Sequence, residues 1–272
     1  MSIVLSPPPL RLRILRSGSG GNAILVDAAN TRILVDAGLS AEVVIHELAT
    51  LAIRPEDLTA ILLTHEHDDH ARGADALGRL ARVPVLANEG TIRAAGASLA
   101  GAPIERFTTG HRFLVGTLSI EAFAVPHDAA EPVGFAIRGD GVTAVIATDL
   151  GAVTDEVLSH ARAADVIILE ANYDLRLLSV SPYPWFLKNR ILSTTGHLSN
   201  DAAARAVVDA ASPRPQQVFL VHLSDVNNLM PLARDTVQGA LDQAGITHVQ
   251  VEAVRPNAAS RVWAAVSPSP SA

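Results

Sequence analysis

The 272-residue chain contains no cysteine, which removes disulfides, thiolate zinc sites and cysteine nucleophiles and leaves His, Asp and Glu to hold any metal. Lysine is almost absent too. Lys188 stands alone against twenty arginines, a bias that together with abundant alanine reflects genome composition more than function. No apolar run reaches membrane-spanning length, and the start MSIVLSPPPLRLRIL lacks the charged end, long apolar core and small-residue cleavage site of a secretory leader. A soluble cytoplasmic protein without a membrane partner is therefore expected. Positive charge is in deficit: the formal net charge of -7 gives no general attraction to nucleic acid or anionic lipid, so any nucleic-acid site must be local.

What is present is a hydrophobic fraction of 49%, enough for a substantial core, and the expectation is one domain over 1–266 followed by a disordered Ser/Pro tail over 267–272. Short runs rich in Val, Ile and Leu, bounded by Gly, Asn, Asp and Pro, predict strands over 11–15, 23–26, 32–35, 60–63, 84–86, 118–125, 134–137, 142–147, 166–169, 217–221, 249–254 and 262–266. Helical spacing predicts helices over 41–51, 69–81, 91–99, 154–163, 200–211 and 231–244, with Ser199 or Asn200 as N-cap of the fifth. Early strands form hairpins and later ones alternate with helices. That order suggests two mixed sheets packed face to face with helices outside.

The stretch Thr64-His65-Glu66-His67-Asp68-Asp69-His70 puts three histidines and three carboxylates directly after the apolar run Ala60-Ile61-Leu62-Leu63. Carboxylate repulsion and desolvation both oppose such crowding, and a bound cation offsets both. An extended segment would send His65 and His67 to one side, and a turn into the following helix would aim Asp69 and His70 at a neighbouring point, with Glu66 and Asp68 directed elsewhere. The competing reading is a solvated acidic turn. Against it, His127, Asp149 and His222 each follow another apolar run, and groups at the ends of several strands can converge on one sheet edge.

With this ordered set the chain resembles the metallo-β-lactamase superfamily, which carries His-x-His-x-Asp-His followed by a distant His, Asp and His. The resemblance implies an α/β fold, the αββα metallo-β-lactamase sandwich of two mixed sheets flanked by helices. It further implies two divalent metal ions, zinc or manganese. Carried over by motif position, His65, His67 and His127 would hold the first ion, Asp69, His70 and His222 the second, and Asp149 would bridge them. Asp36, in Leu34-Val35-Asp36-Ala37-Gly38, matches an acidic motif that supports the site without ligating; a turn-forming Asp before Gly38 is the alternative.

Finer stretches, including Ser17-Gly18-Ser19-Gly20-Gly21-Asn22, Leu169-Glu170-Ala171-Asn172-Tyr173-Asp174, Gly196-His197-Leu198-Ser199-Asn200 and His222-Leu223-Ser224-Asp225-Val226-Asn227-Asn228, are similar to the YycJ/WalJ branch of that superfamily. This likeness implies a 5′-to-3′ DNA exonuclease using a hydroxide that bridges two metal ions, with Asp69, Asp149 and His197 catalytic. RNA is a second possible substrate. Tyr173 departs from the His of many relatives. His197, before a helix start, could protonate the leaving oxygen or merely cap. Lys188, Arg190 and Ser224 are candidate phosphate contacts, against surface-charge and turn roles. Tyr183, Trp185 and Phe186 with Lys188 and Arg190 mix aromatic and basic groups as a stacking platform would, although core packing explains the aromatics equally. The Ser17–Gly21 turn could present N–H groups to phosphate or be a plain hairpin turn. The enzymatic rival is a hydrolase of a small thioester, lactone or lactam, since the same metal set can polarise a carbonyl.

Overall fold

A computed structural model describes residues 10–214 and 216–265; the tail expected over 267–272 lies outside the described residues. β1 (Arg11–Arg16), β2 (Ala23–Ala28) and β3 (Thr31–Val35) pair antiparallel, and β4 (Ala60–Leu62), β5 (Val85–Ala87) and β6 (Ile104–Arg106) add parallel to β3. The second half repeats the scheme. β7 (Arg112–Val115), β8 (Leu118–Ala124), β9 (Val133–Gly139) and β10 (Val142–Ala147) form an antiparallel meander, and β11 (Val166–Glu170), β12 (Gln216–Val221) and β13 (Val249–Ala253) continue parallel. β14 (Trp263–Ala264) returns to pair with β1, giving the sheet orders β14-β1-β2-β3-β4-β5-β6 and β13-β12-β11-β10-β9-β8-β7.

Side chains alternate across each strand, and here both faces are apolar. In β3, Ile33 and Val35 face the other sheet while Leu34 faces helices; in β12, Phe219 and Val221 face inward while Val218 and Leu220 face outward. The inner layer joins Leu12, Ile14 and Leu62 to Phe135, Ile146 and Ile168. Helices Ala41–Ala49 and Ala74–Ala81 cover the first sheet through Val44, Leu48 and Leu77, and helices Asp155–Arg162, Asn200–Ala210 and Met230–Gln243 cover the second through Val157, Val207 and Val237. This is the expected αββα sandwich. Among the described residues, no helix is long and apolar enough to cross a membrane.

Departures from expectation have local causes. The helix expected over 69–81 is two, Asp68–Ala71 and Ala74–Ala81, separated near Gly73, whose N–H turns to the Ala37 carbonyl. β6 and β7 are edge strands with exposed side chains such as Leu114, so they carry little apolar signal. Helices Leu175–Val180 and Trp185–Leu192 are additions; they rest on a small satellite core of Tyr173, Leu178 and Ile191. Ser199 is the N-cap of helix Asn200–Ala210, accepting from the Ala202 N–H at 3.1 Å.

Candidate metal centre

The parallel strands end at one edge of the sandwich, and β8, antiparallel to β9 and so parallel to β10, ends there too. Asp36 follows β3, Thr64 to His70 follow β4, His127 follows β8, Asp149 follows β10 and His222 follows β12. Asp36, Asp149 and His222 adopt left-handed backbone, with φ of 61°, 53° and 54°. The His67–Ala71 turn is gripped by backbone: the Asn22 N–H donates to the Asp69 carbonyl and the Ala37 N–H to the His70 carbonyl, both at 2.8 Å. Across the two sheets, the His222 N–H donates to Ser17 Oγ at 2.8 Å.

These exits bring all seven expected donors together. His65 Nε2 and His127 Nε2 lie 3.0 and 3.2 Å from His67 Nδ1. Asp69 Oδ2 lies 3.3 Å from His222 Nε2 and 3.6 Å from His70 Nε2. Asp149 stands between the groups, Oδ2 at 2.9 Å from His70 Nε2 and Oδ1 at 3.5 Å from His222 Nε2, and it also shares a cluster with His65. Glu66 and Asp68 stand outside the donor clusters, Glu66 accepting from the Ala130 N–H at 2.8 Å and Asp68, at the cavity wall, pairing with Arg72 at 2.8 Å.

The outer ring atoms fix which nitrogens face inward. His70 Nδ1 lies 2.7 Å from Asp36 Oδ2, and Asp36 is itself held by the Thr64 N–H at 2.8 Å and the Thr64 hydroxyl at 2.9 Å. His127 Nδ1 donates to the Gly196 carbonyl at 3.1 Å. Such partners set ring orientation and leave the inner nitrogen as the one a metal can take. Burial keeps His65 and His127 below the ordinary imidazole range, hence neutral. Burial also opposes protonation of His70 and His222, but carboxylates outweigh it: Asp149 and Asp36 raise His70, and Asp149, Asp69 and Glu170 push His222 up to about 10. Burial would raise Asp149, yet His222 and His70 hold it well below the usual carboxylate range.

Cations fit this arrangement on two grounds. Three ring nitrogens meet there, with separations of 3.0 and 3.2 Å about His67 Nδ1, and tetrahedral zinc bound at ~2.05 Å spaces its ligand nitrogens by about 3.3 Å. Asp149 Oδ2 is buried and makes no aligned hydrogen bond, its neighbour at 2.9 Å being the ring nitrogen of His70, a second metal-type donor.

Residues 31–223 match the family described as beta-lactamase superfamily domain. The chain is 36% identical over 239 residues to the protein named exodeoxyribonuclease YycJ of Bacillus anthracis, covering 87% of this chain and 90% of that one. It is 38% identical over 238 residues to the protein named exodeoxyribonuclease WalJ of Streptococcus pneumoniae, covering 86% and 88%. The chain belongs to the metallo-β-lactamase superfamily. It is thus a metal-dependent hydrolase. The crystal structure of the metallo-β-lactamase fold protein YhfI from Bacillus subtilis superposes with a TM-score of 0.72 at 16% identity, covering 94% of this chain and 99% of that one, which shows the shared fold.

Around this superfamily centre lies an open cavity of about 380 Å³, lined by His67, Asp69, His127, His222 and, beyond the donors, His197, Ser224, Tyr183, Arg190 and Asn227. His197 Nδ1 lies 2.7 Å from Glu170 Oε1. Arg190 lines the cavity with its guanidinium on Asp128 at 2.5 and 3.1 Å. Ser224 lines it too, its Oγ accepting from the Val226 and Asn227 N–H groups at 3.3 and 3.1 Å, the turn role its sequence context suggested. Lys188, expected at phosphate, does not line the cavity: its ammonium donates to the Ser179 carbonyl at 2.7 Å and ties two helices together. Tyr173 is buried in the satellite core, outside the donor set.

Sequence reasoning gave no role to Glu170, fully buried at the end of β11. Its Oε1 serves both His197 and His222 Nδ1, the latter at 3.2 Å, and its Oε2 accepts the Leu150 and Leu198 N–H groups at 2.9 and 3.3 Å. The available signal was position: Glu170 takes the inward register of Val166 and Ile168, where a carboxylate requires partners. Asn227 was also missed. It is fully buried, and neither atom of its amide group has a hydrogen-bond partner.

Proposed function

We propose that this chain is a metal-dependent phosphodiesterase that shortens a DNA strand, a 5′-to-3′ exonuclease, with RNA as a less favoured substrate. The observation that carries the reading is the meeting of seven donor side chains at one sheet edge, where His67, Asp69, His127 and His222 line an open cavity. The choice of phosphodiester over carbonyl rests on the names borne by the YycJ and WalJ relatives.

His65, His67 and His127 would hold one divalent cation and Asp69, His70 and His222 a second, with Asp149 reaching both; an all-imidazole and carboxylate set suits zinc and tolerates manganese. Bound there, two ions offset charge on phosphate oxygens and bring the pKa of a water towards neutrality. The chain's own residues do the rest. Asp36 and Gly196 keep His70 and His127 turned so that their inner nitrogens face the substrate edge. Glu170 fixes one face of His222 and orients His197, whose raised pKa, set by Glu170 against the opposing effect of burial, suits it to hand a proton to the leaving oxygen. Arg190, and the Ser224 hydroxyl proton, meet the flanking phosphate.

The test is a panel of 5′-phosphorylated and 5′-hydroxyl DNA and RNA with a thioester, a lactone and a lactam, each with zinc and with manganese. Degradation of 5′-phosphorylated DNA is expected, and Asp149→Ala should abolish it while circular dichroism stays unchanged. Intact nucleic acids alongside turnover of a small carbonyl substrate would overturn the proposal in favour of the small-molecule hydrolase.

A further inference from the structure

Arg190 is the one lysine or arginine among the described residues that line the cavity. A guanidinium is a rigid planar fork of N–H donors, and Asp128 takes one edge of it, Nε donating to Oδ2 at 2.5 Å and Nη2 to Oδ1 at 3.1 Å. Nη1 and the second N–H of Nη2 are left unengaged. That free edge has the spacing of two phosphate oxygens.

Asp128 directly follows His127, and its Oδ1 lies 3.4 Å from His127 Nε2, the nitrogen that meets His67. It nevertheless stands outside the donor clusters, with both oxygens engaged by Arg190. The helix that carries Arg190 is tied to the same loop a second time. His127 Nδ1 bonds the Gly196 carbonyl, the His197 N–H donates to the Ile191 carbonyl at 3.0 Å, and a Cβ on Gly196 would stand 2.1 Å from the Arg190 carbonyl oxygen. The chain at Gly196 therefore lies against the last turn of helix Trp185–Leu192, and Arg190 is located at its backbone and at its tip by neighbours of the metal centre. Arg190 and Asp128 are both exposed, and an exposed ion pair adds little to stability. What the two-point pair does supply is orientation, since it removes in advance rotamer freedom that a long side chain otherwise loses on meeting a ligand.

We infer that Asp128 is a positioning residue: it fixes Arg190 beside His127 so that the free edge of the guanidinium meets a substrate phosphate next to the donor set. Asp128 acts through Arg190, neither as a metal ligand nor as a competitor of that phosphate. This rests on the phosphodiesterase reading and deepens it, because it gives the cavity's anion contact a fixed place relative to one donor. Lysine would not serve, having no fork to be held along one edge while the other binds.

The test uses the zinc-loaded full chain, Asp128→Asn, Arg190→Lys and the double variant, and measures by calorimetry the binding of two trithymidylates, one with phosphorothioate linkages and one with uncharged methylphosphonate linkages. The charged oligomer should bind roughly tenfold more weakly to each single variant, the loss of one charge-assisted hydrogen bond, and no more weakly than that to the double variant, because both changes remove the same interaction. The uncharged oligomer should bind all four proteins alike. Zinc affinity, read by chelator competition, and melting temperature should hold. With a chromogenic phosphodiester, KM should rise by a similar factor while kcat changes far less, a split that general loosening of the site does not produce. Tighter binding of the charged oligomer by Asp128→Asn would make the carboxylate a competitor and overturn the inference. So would a fall in its zinc affinity, which would make Asp128 a ligand, or equal or absent binding of the charged oligomer in all four proteins. If no phosphodiester is hydrolysed but the charge-dependent binding and its loss are seen, the catalytic proposal falls and the role of Asp128 stands.

Discussion

Gly38 has no chemistry to offer, yet replacing it with alanine should disable the metal centre. A Cβ there would sit 1.6 Å from the Asp69 carbonyl oxygen, 2.1 Å from its carbon and 2.8 Å from the His70 nitrogen. Ordinary contact begins at 3.4 Å, so the Asp69-His70 backbone must retreat by about 2 Å. That movement breaks the grip of the Asn22 and Ala37 N–H groups on the Asp69 and His70 carbonyls, each worth about 1 kcal/mol. With overpacking added, a loss of about 3 kcal/mol is expected, lowering the melting temperature by roughly 10 °C. The effect on metal should be larger in proportion, because ligation tolerates displacements of only about 0.2 Å. Zinc affinity, read by competition with a chromophoric chelator, should fall by more than about 100-fold, the upper end for changes one step removed from a ligand. Gly239→Ala is the control: no atom lies within 4 Å of its Cβ, it is inside helix Met230–Gln243, and it should gain up to about 1 kcal/mol with zinc binding unchanged. Folded Gly38→Ala with wild-type zinc affinity would refute the claim that this backbone approach positions Asp69 and His70.

Glu170→Gln keeps size but loses an acceptor: whichever way the amide turns, its nitrogen faces either the two imidazoles or the Leu150 and Leu198 N–H groups, and zinc affinity should fall about 10- to 100-fold in the same competition assay. In the metal-free chain His222 is raised from 6.5 to about 10, so the stability its protonation lends is complete below about pH 6.5 and is lost as pH rises through 10; denaturant titrations across that range, with chelator present, should show the decline. Zinc competes for the same nitrogen, so binding near neutral pH should release a proton, seen as a buffer-dependent heat in calorimetry, and affinity should climb with pH. Removing metal with a chelator should lower the melting temperature relative to excess zinc, by about 4 kcal/mol of stability at a thousandfold excess over Kd.

Much of this site was legible because its donors sit where sequence pattern changes. His65, His127, Asp149 and His222 each end an apolar run, so a strand reading also located one edge. Glu170 escaped because it closes an apolar run while belonging to it: the register of Val166 and Ile168 turns it inward, but nothing in Val166-Ile167-Ile168-Leu169-Glu170 names the two histidines it serves. Arg190 reads as a free cation until Asp128, 62 positions away, is seen to hold it. The strands β6 and β7 lacked signal because edge positions need no apolar alternation, and Trp185 with Phe186 followed core composition while lying on the surface.

The left-handed residues explain how these strand ends become a site. Asp36 shares the register of Leu34, Asp149 that of Val145 and Ala147, and His222 that of Val218 and Leu220, all of which face the outer helices. Extended continuation would send all three polar groups into apolar layers. Each instead adopts positive φ, at a cost of order 1 kcal/mol or more for a residue with a side chain, and reaches the shared edge between the sheets. Folding alone gains nothing from such turns, since glycine would make them with less strain. Asp36 recovers part of the cost through Thr64 and His70, whereas Asp149 Oδ2 makes no aligned hydrogen bond and faces the ring nitrogen of His70, itself an expected metal donor, at 2.9 Å. A carboxylate buried by a strained turn among ring nitrogens that are themselves metal-type donors is a residue placed for a cation.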